Sequence, residues 1–426
     1  MQRIERLVPW ALLVFVVAGG VSWIQRPGDL AGYLVVGEAV LAGQHIYQDV
    51  GAGVNTWPPF FSLLCVPLAL LARPTPYVAR GVWLLLNFLL LWAALKMLTR
   101  LVYGSALRLR PSGADLSLAS PEVLIPVALC YRFILSNFDH LQVNIVIFTA
   151  ALAGLYWHTC GRDVCGGAAL GLAAAMKVMP AAFIPYLVYR RRYRLALCAG
   201  IATVAFSLLP VLIYGWPRFL DYVRAWRQAV ALGWGVGKMN QSVYAMFDRY
   251  LGHGITPLHV TVTNVLTDSG DPVVAVATGA VLALVVALGL LLFRGAEARN
   301  SVASLAEYSV VFVVSALFGP VTWKAYLVVL LCPCMLLVGL IRGKRLTLRE
   351  RRTTMAGLAA YFILGGLTTR GFLGRQLAGA LAMLSVTTLG ALVVLGVLLW
   401  LRPRIGERSM NQDAGGLPPA AAGGRG

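Results

Sequence analysis

Apolar runs recur along nearly the whole chain, and most end in a short polar or basic turn. A hydrocarbon core of roughly 30 Å takes about 20 apolar residues in helical form. Runs near that length occupy 7–24, 77–98, 195–214, 272–293, 302–319, 323–341, 354–370 and 377–401, with shorter ones at 60–72 and 143–158. The segment 121–136 is apolar but short for a span, and reads as re-entrant or packed against other helices. The stretch 166–189 is interrupted by Lys177 and Pro180. Because proline removes a backbone donor and restricts its predecessor, the pattern predicts two short helices meeting near Lys177. The expected class is an all-α polytopic membrane protein of about 11–13 transmembrane helices.

Two intervening segments depart from this pattern. In 25–56, Leu30, Leu34, Val35, Ala39 and Leu41 share one helical face, which predicts an amphipathic helix lying in the interface and ended by Gly43. Trp57-Pro58-Pro59 then restarts the chain, since proline suits a first helical turn and tryptophan the headgroup level. The segment 215–271, rich in Trp, Tyr and Gly, reads as a long external loop. Residues 1–402 form a single transmembrane domain on this reading. The Gly/Pro/Ala-rich end, 403–426, reads as a disordered cytoplasmic tail.

Composition excludes a soluble domain. Of 426 residues, 59% are hydrophobic and 12% charged, about half the ~25% charge of globular chains. The mean hydropathy is +0.76. A net charge of +19 would suggest nucleic acid in a soluble protein. Here the basic residues sit between apolar runs, so they read mainly as topology signals, with no nucleic-acid partner. Part of the charge stays open to anionic lipids or an anionic substrate. Arg3 and Arg6 before the first run, which reads as a retained helix rather than a cleaved signal, place the N-terminus in the cytoplasm. The turns at Arg190–Arg194, 294–299 and 342–352 then fall on the same side, as does the C-terminus. The count conflicts with the rule at 103–120, which is external by alternation yet carries Arg108 and Arg110. The seven cysteines show neither a disulfide framework nor a zinc pattern.

Ionisable groups among apolar runs are costly and point to function. Two readings fit Lys177: it snorkels to the headgroups, or it meets an anion at the helix junction. Asp29 fits either an N-cap or a general base at the membrane surface. Gln142 and Asn144, at a helix mouth, either bridge helices or bind ligand hydroxyls. Lys238, Asn240, Gln241 and Arg249 give the second external segment a cationic, hydrogen-bonding character suited to phosphate or sugar, or form a solvated loop. Trp323-Lys324 follows Gly319-Pro320 at a further junction. The five histidines have no metal-ligand spacing.

These residues also form an ordered set. Asp29-Leu-x-x-Tyr33, Gly43-x-x-Ile46-Tyr47 and Trp57-Pro58-Pro59 resemble the first external loop of glycosyltransferase family 87, within the GT-C superfamily. Gln142-Val143-Asn144 resembles the family's Gly-Gln-x-Asn element, with Leu141 in place of glycine. The small-residue helix ending Lys177-x-x-Pro180, and Asn240-Gln241-Ser242 with Arg249, complete the set over about residues 5–340. Many relatives carry a histidine near the Trp of a Pro-x-x-Trp junction; here Pro320-Val-Thr-Trp323-Lys324 lacks it.

The resemblance implies a GT-C-type bundle and a membrane glycosyltransferase of the cell envelope. It implies transfer of a hexose, mannose by family habit, from a polyprenyl-phosphate donor to a lipid or glycan acceptor on the external face. It assigns Asp29 as general base and Lys177, with Arg249 and Lys238, to the donor phosphate. Tyr33, Tyr47, Gln142, Asn144, Asn240, Gln241 and Lys324 fall to substrate binding. One carboxylate without a partner nucleophile favours a single inverting displacement. No cofactor is expected, and the acids are too dispersed to predict the divalent ion that some GT-C enzymes use. The competing reading is a transporter or lipid flippase using the same polar residues as a path.

Overall fold

The computed structural model describes residues 18–51, 54–109, 113, 115–232, 239–252, 272–294, 302–343 and 345–414. Among these residues the regular structure is helical, apart from an isolated bridge between Leu107 and Leu116. The first helices are α1 (described over 18–25), α2 (Leu30–Leu41), α3 (Pro59–Ala72), α4 (Pro76–Tyr103), α5 (Pro121–Asp139) and α6 (Asn144–Thr159). Next come α7 (Asp163–Met176), α8 (Phe183–Tyr189), α9 (Tyr193–Tyr214), α10 (Trp216–Leu232), α11 (Val243–Phe247), α12 (Pro272–Leu292) and α13 (Val302–Leu317). The series closes with α14 (Leu331–Arg342), α15 (Leu348–Tyr361), α16 (Arg370–Met383) and α17 (Val386–Ala414). Among the described residues six helical stretches are long and apolar enough to cross a membrane, or up to seven if a pair bent by 81° around 366–370 is one span. The chain is a polytopic membrane protein.

Contacts between chain ends sort the bundle into two poles. At one pole the Asp29 N–H donates to the His140 carbonyl at 2.7 Å, Arg26 pairs with Asp139, and Gln241 N–H donates to Thr322 O at 2.8 Å. At the other, Tyr103 and Arg342 both reach Glu122. There too, Arg190 and Arg402 enclose the buried Glu307 at 2.9 and 2.5 Å. An ion pair this dry survives because each charge has its counter-charge in place.

Three expectations change against this frame. α3 does not cross. It leaves the first pole at Trp57, folds back along α2 until Arg73 lies 3.9 Å from Glu38, and α4 starts at the same pole, where Arg80 donates to the Ile24 carbonyl at 3.0 Å. At 14 residues it is too short to span. Consequently the described residues of 103–120 lie at the second pole with Arg342, and Arg108 no longer runs against the charge rule; Arg110 is outside the described residues. α5 is a full 19-residue crossing rather than a re-entrant segment. α2 buries Leu30, Tyr33, Val36, Gly37 and Ala39 while Val35 and Leu41 are exposed, so its inward face is rotated from the expected one. The cause is α3: a Cβ on Gly37 would stand 2.8 Å from the Ala69 Cβ, so α2 turns its small residue toward that helix.

The segment expected as a loop from 215 contains α10, docked on residues 43–56. Arg218 donates to Gly43 O at 2.7 Å and Trp226 to Thr56 O at 3.2 Å. At the chain end, α17 continues to Ala414. Lys177 separates α7 from a 3-10 turn, Met179–Ala182, as the proline predicts: Pro180 has no N–H to continue the ladder.

Candidate active site

A cavity of about 860 Å³ opens at the first pole. It lies within the range of small-molecule sites, roughly 300–1,000 Å³. Its wall takes Asp29 and Tyr33 from α2, Trp57 from the start of α3, and His140 and Gln142 from the α5–α6 turn. Lys177 from the α7 break, Trp226 from α10, and Lys324 and Tyr326 after Pro320 complete it. Six separate stretches of sequence therefore contribute polar groups to one chamber.

Asp29 occupies the N-cap position of α2, yet its carboxylate makes no capping bond. The side chain lines the cavity instead. Its position is fixed through the backbone: Gly28 adopts φ +52°, and a Cβ there would stand 2.5 Å from the His140 carbonyl. The Trp83 indole donates to Leu141 O at 3.0 Å, holding the other half of the joint. The carboxylate meets the open chamber, but protein encloses the rest of it. That enclosure raises its pKa above the ordinary 3.8, and the nearby His140 and Lys177 pull it part of the way back.

Lys177 ends α7 in an extended conformation, φ −157° and ψ 126°. Its ammonium donates to Asn144 Oδ1 at 2.9 Å and lies over the Tyr326 ring, 2.9 Å from the centroid, with the Trp57 ring at 4.9 Å. Aromatic faces attract a cation electrostatically without neutralising it. The charge stays available to an anion entering the cavity. Asn144 is itself set by donation to Gln142 Oε1 at 2.6 Å. Asn137, in the last turn of α5, accepts from Asn144 at 3.4 Å and donates to the Ala325 carbonyl at 2.9 Å, and so ties this network to the Tyr326 wall.

Not every expected site residue faces the chamber. Asp29, Tyr33, Gln142, Lys177 and Lys324 line it, and Asn144 stands directly behind Lys177. Tyr47 lies behind the wall, where its hydroxyl donates to Trp57 O at 2.7 Å. Arg249 is buried away from the lining: it donates to Ser385 Oγ at 2.6 Å and to Asn240 O at 3.0 Å. Asn240 accepts from Thr322 N–H at 2.9 Å and donates to Pro320 O at 3.0 Å, and Gln241 donates to Ala382 O at 3.0 Å. Asn240 and the Gln241 N–H, which donates to Thr322 O, hold the 319–323 segment by its backbone, and Arg249 grips Asn240 from behind. Lys238 lies outside the described residues. The sequence reading did not single out His140, Tyr326 or Trp226. A lone histidine in the sequence signals nothing beyond a missing metal spacing, and the aromatics become neighbours of Lys177 and Asp29 only through the packing of distant helices. Among the described residues no group of three or more His, Cys, Asp or Glu is placed to hold a metal ion.

Comparison with known proteins adds an independent line. The sequence profile of glycosyltransferase family 87 matches residues 55–320. A polyprenol-phosphate-mannose-dependent alpha-(1-2)-phosphatidylinositol mannoside mannosyltransferase of Mycolicibacterium smegmatis is 26% identical over 83% of this chain and 80% of its own length. The protein of the same description from Mycobacterium tuberculosis is 27% identical over 84% of this chain and 82% of its own. A phosphatidylinositol pentamannoside mannosyltransferase of Mycobacterium tuberculosis is 26% identical over 72% of this chain and 62% of its own. No solved structure matches the chain.

Proposed function

The chain belongs to glycosyltransferase family 87, and from that premise we propose that it transfers mannose from a polyprenyl-phosphate donor to a lipid-linked glycan at the external membrane face. The observation that carries the reading is the pairing of one carboxylate, Asp29, and one aromatic-caged ammonium, Lys177, in a single chamber. A glycosyl phosphate needs both: a base for the incoming hydroxyl, and a cation for the charge that builds on the departing phosphate.

In this mechanism the acceptor hydroxyl attacks C1 of the sugar while its proton passes to Asp29. The C1–O bond breaks with its electron pair going to the phosphate oxygen, which Lys177 and Lys324 stabilise. Asp29 is the one acid among the lining residues described, so the chamber offers no second carboxylate as nucleophile, and a single inverting displacement follows. Arg249, Asn240 and Gln241 act at one remove by holding the segment that carries Lys324 and Tyr326. The relatives named above take phosphatidylinositol mannosides; a lipid-linked mannoside is the acceptor class to try first.

Orientation rests on charge. Arg190, Arg191, Arg192, Arg342, Arg349, Arg351 and Arg352 belong to the pole away from the cavity, the distribution of a cytoplasmic face. The chamber is then external and both ends of the chain cytoplasmic. Against transport stands the second pole, where Arg190, Glu307 and Arg402 close the bundle with buried ion pairs.

The test is transfer in membranes from radiolabelled polyprenyl-phosphate mannose to lipid mannoside acceptors, comparing the wild type with Asp29→Asn. Label should move with the wild type and fall by at least about 10²-fold with the variant. Near-normal turnover by Asp29→Asn removes it as the base. Inactivity of the wild type with mannose, glucose and arabinose donors alike removes the transfer reading.

A further inference from the structure

α10 presents two faces to different surroundings. Phe219 and Tyr222 are buried, and Trp226, Ala229 and Val230 line the chamber. The opposite face carries Trp216, Leu220, Arg224 and Arg227, which follow one another at helical spacing and are all exposed. Tryptophan and leucine beside arginine on an outer face mark a helix that lies along the lipid–water boundary. α10 begins at that level, directly after the exposed Leu212 and Ile213 at the end of α9.

The two arginines stand at the pole where basic residues are few. There Arg26 is paired with Asp139, while Arg80 and Arg218 donate to the carbonyls of Ile24 and Gly43. Asp221 is the one acid on α10, and His45 Nε2 meets it at 3.0 Å. Arg224 and Arg227 make no ion pair or hydrogen bond among the described residues. Their guanidinium forks are left for an anion from outside the protein, and phosphate oxygens match that fork in shape and charge.

We propose that Arg224 and Arg227 bind the phosphodiester of an anionic phospholipid whose glycan is the acceptor. The inference rests on the transfer reading above for what that lipid does. Positive charge at headgroup level complements an anionic lipid, and the same helix continues to the chamber wall. A helix is roughly 10 Å across, so a glycan of a few sugar units carries its terminal hydroxyl from the arginines over α10 to Asp29. The separation is fixed, because Arg218, Tyr222 and Trp226 tie α10 to Gly43, Gln44 and Thr56.

The experiment compares two short-chain acceptors, a phosphatidylinositol mannoside and a mannosyl diacylglycerol that lacks the phosphate. Binding to the purified full chain is read by native mass spectrometry, and transfer by steady-state kinetics. A surface cation strengthens binding of an anionic lipid by about fivefold. The double variant Arg224→Gln/Arg227→Gln should therefore bind the charged mannoside about 25-fold more weakly. Its acceptor KM should rise in step, with kcat and donor KM unchanged, and the neutral mannoside should not distinguish it from wild type. Arg224→Lys/Arg227→Lys, which keeps the charge, should recover most of the affinity. Equal binding of the charged mannoside by wild type and the glutamine variant overturns the proposal, as does an equal loss for the neutral one. A rise in donor KM instead assigns the arginines to the donor and overturns it too. Wild-type chain that binds the charged mannoside through these arginines but transfers nothing to it sinks the transfer reading and leaves the lipid site standing.

Discussion

At the scale of single residues, the site sets function against stability. Burial raises the Asp29 pKa, so the folded protein holds that proton more tightly than the unfolded chain does. Stability linked to Asp29 is therefore fully present at low pH and is lost as pH rises from the unfolded value through the raised one. At neutral pH the charged carboxylate is a burden on the fold. Asp29→Asn should consequently melt at a higher temperature in detergent while losing transfer, and the wild-type rate should rise with pH along a limb lying above the ordinary 3.8 of aspartate. Gly28→Ala should do the opposite to the fold. Its φ of +52° costs an L-residue about 1–2 kcal/mol, and the new Cβ would press on the His140 carbonyl. Displacing Asp29 by about 1 Å is enough for a 10²-fold loss of rate, so thermal melting and transfer should fall together. Asp29 and Lys177 were legible in the sequence because charges are scarce among apolar runs. Arg249 was not, since its partner Ser385 is 136 residues away and nothing local says whether a cation will meet a ligand or a hydroxyl. Leu141 stands where the family has glycine and does adopt a left-handed φ of +49°. The motif therefore marks a backbone shape that this chain keeps with a strained residue.

At the scale of helices, Lys177 is placed by glycine. α7 lies so close to its neighbours that a Cβ on Gly166 would stand 2.6 Å from Gly154 O of α6, and one on Gly171 would stand 2.5 Å from the Ala202 Cβ of α9. Small residues let helices approach where lipid removes the hydrophobic drive to associate. Gly171→Leu overpacks this contact, at a cost of about 1–3 kcal/mol, and tilts the helix whose end carries the ammonium. Unfolding in detergent and donor KM should both register it. The helices themselves were mostly legible, with α7, its break and α9 close to their predicted limits. The errors fell where length was marginal. α3, at 14 residues, has the apolar pattern of a span without its length, and the polar end of α5 hides part of a 19-residue helix; the two effects cancel for the later helices and misplace only 103–120.

At the scale of the whole molecule, the charge asymmetry has a direct readout. Of the seven cysteines only Cys160 and Cys165 are exposed; Cys160 sits in the α6–α7 connection and Cys165 in the first turn of α7, at the pole away from the chamber. A membrane-impermeant maleimide should leave them unlabelled in intact cells and modify them after lysis. Val35→Cys, at a position 46% exposed on α2, should show the reverse. Labelling of Cys160 and Cys165 from outside would turn the molecule over.

The folded-back α3 also bears on how the protein is made. As the chain leaves the ribosome, PFFSLLCVPLALLA is among the most apolar stretches the translocon meets, and lateral release would strand it in the bilayer. Each later helix would then enter with reversed polarity. At 14 residues α3 is roughly 21 Å long, short of the ~30 Å core, and it carries Pro67 within it. Brevity thus acts as a passport through the channel. A segment that looks like a span must therefore be let through during synthesis if Trp57 is to meet Lys177.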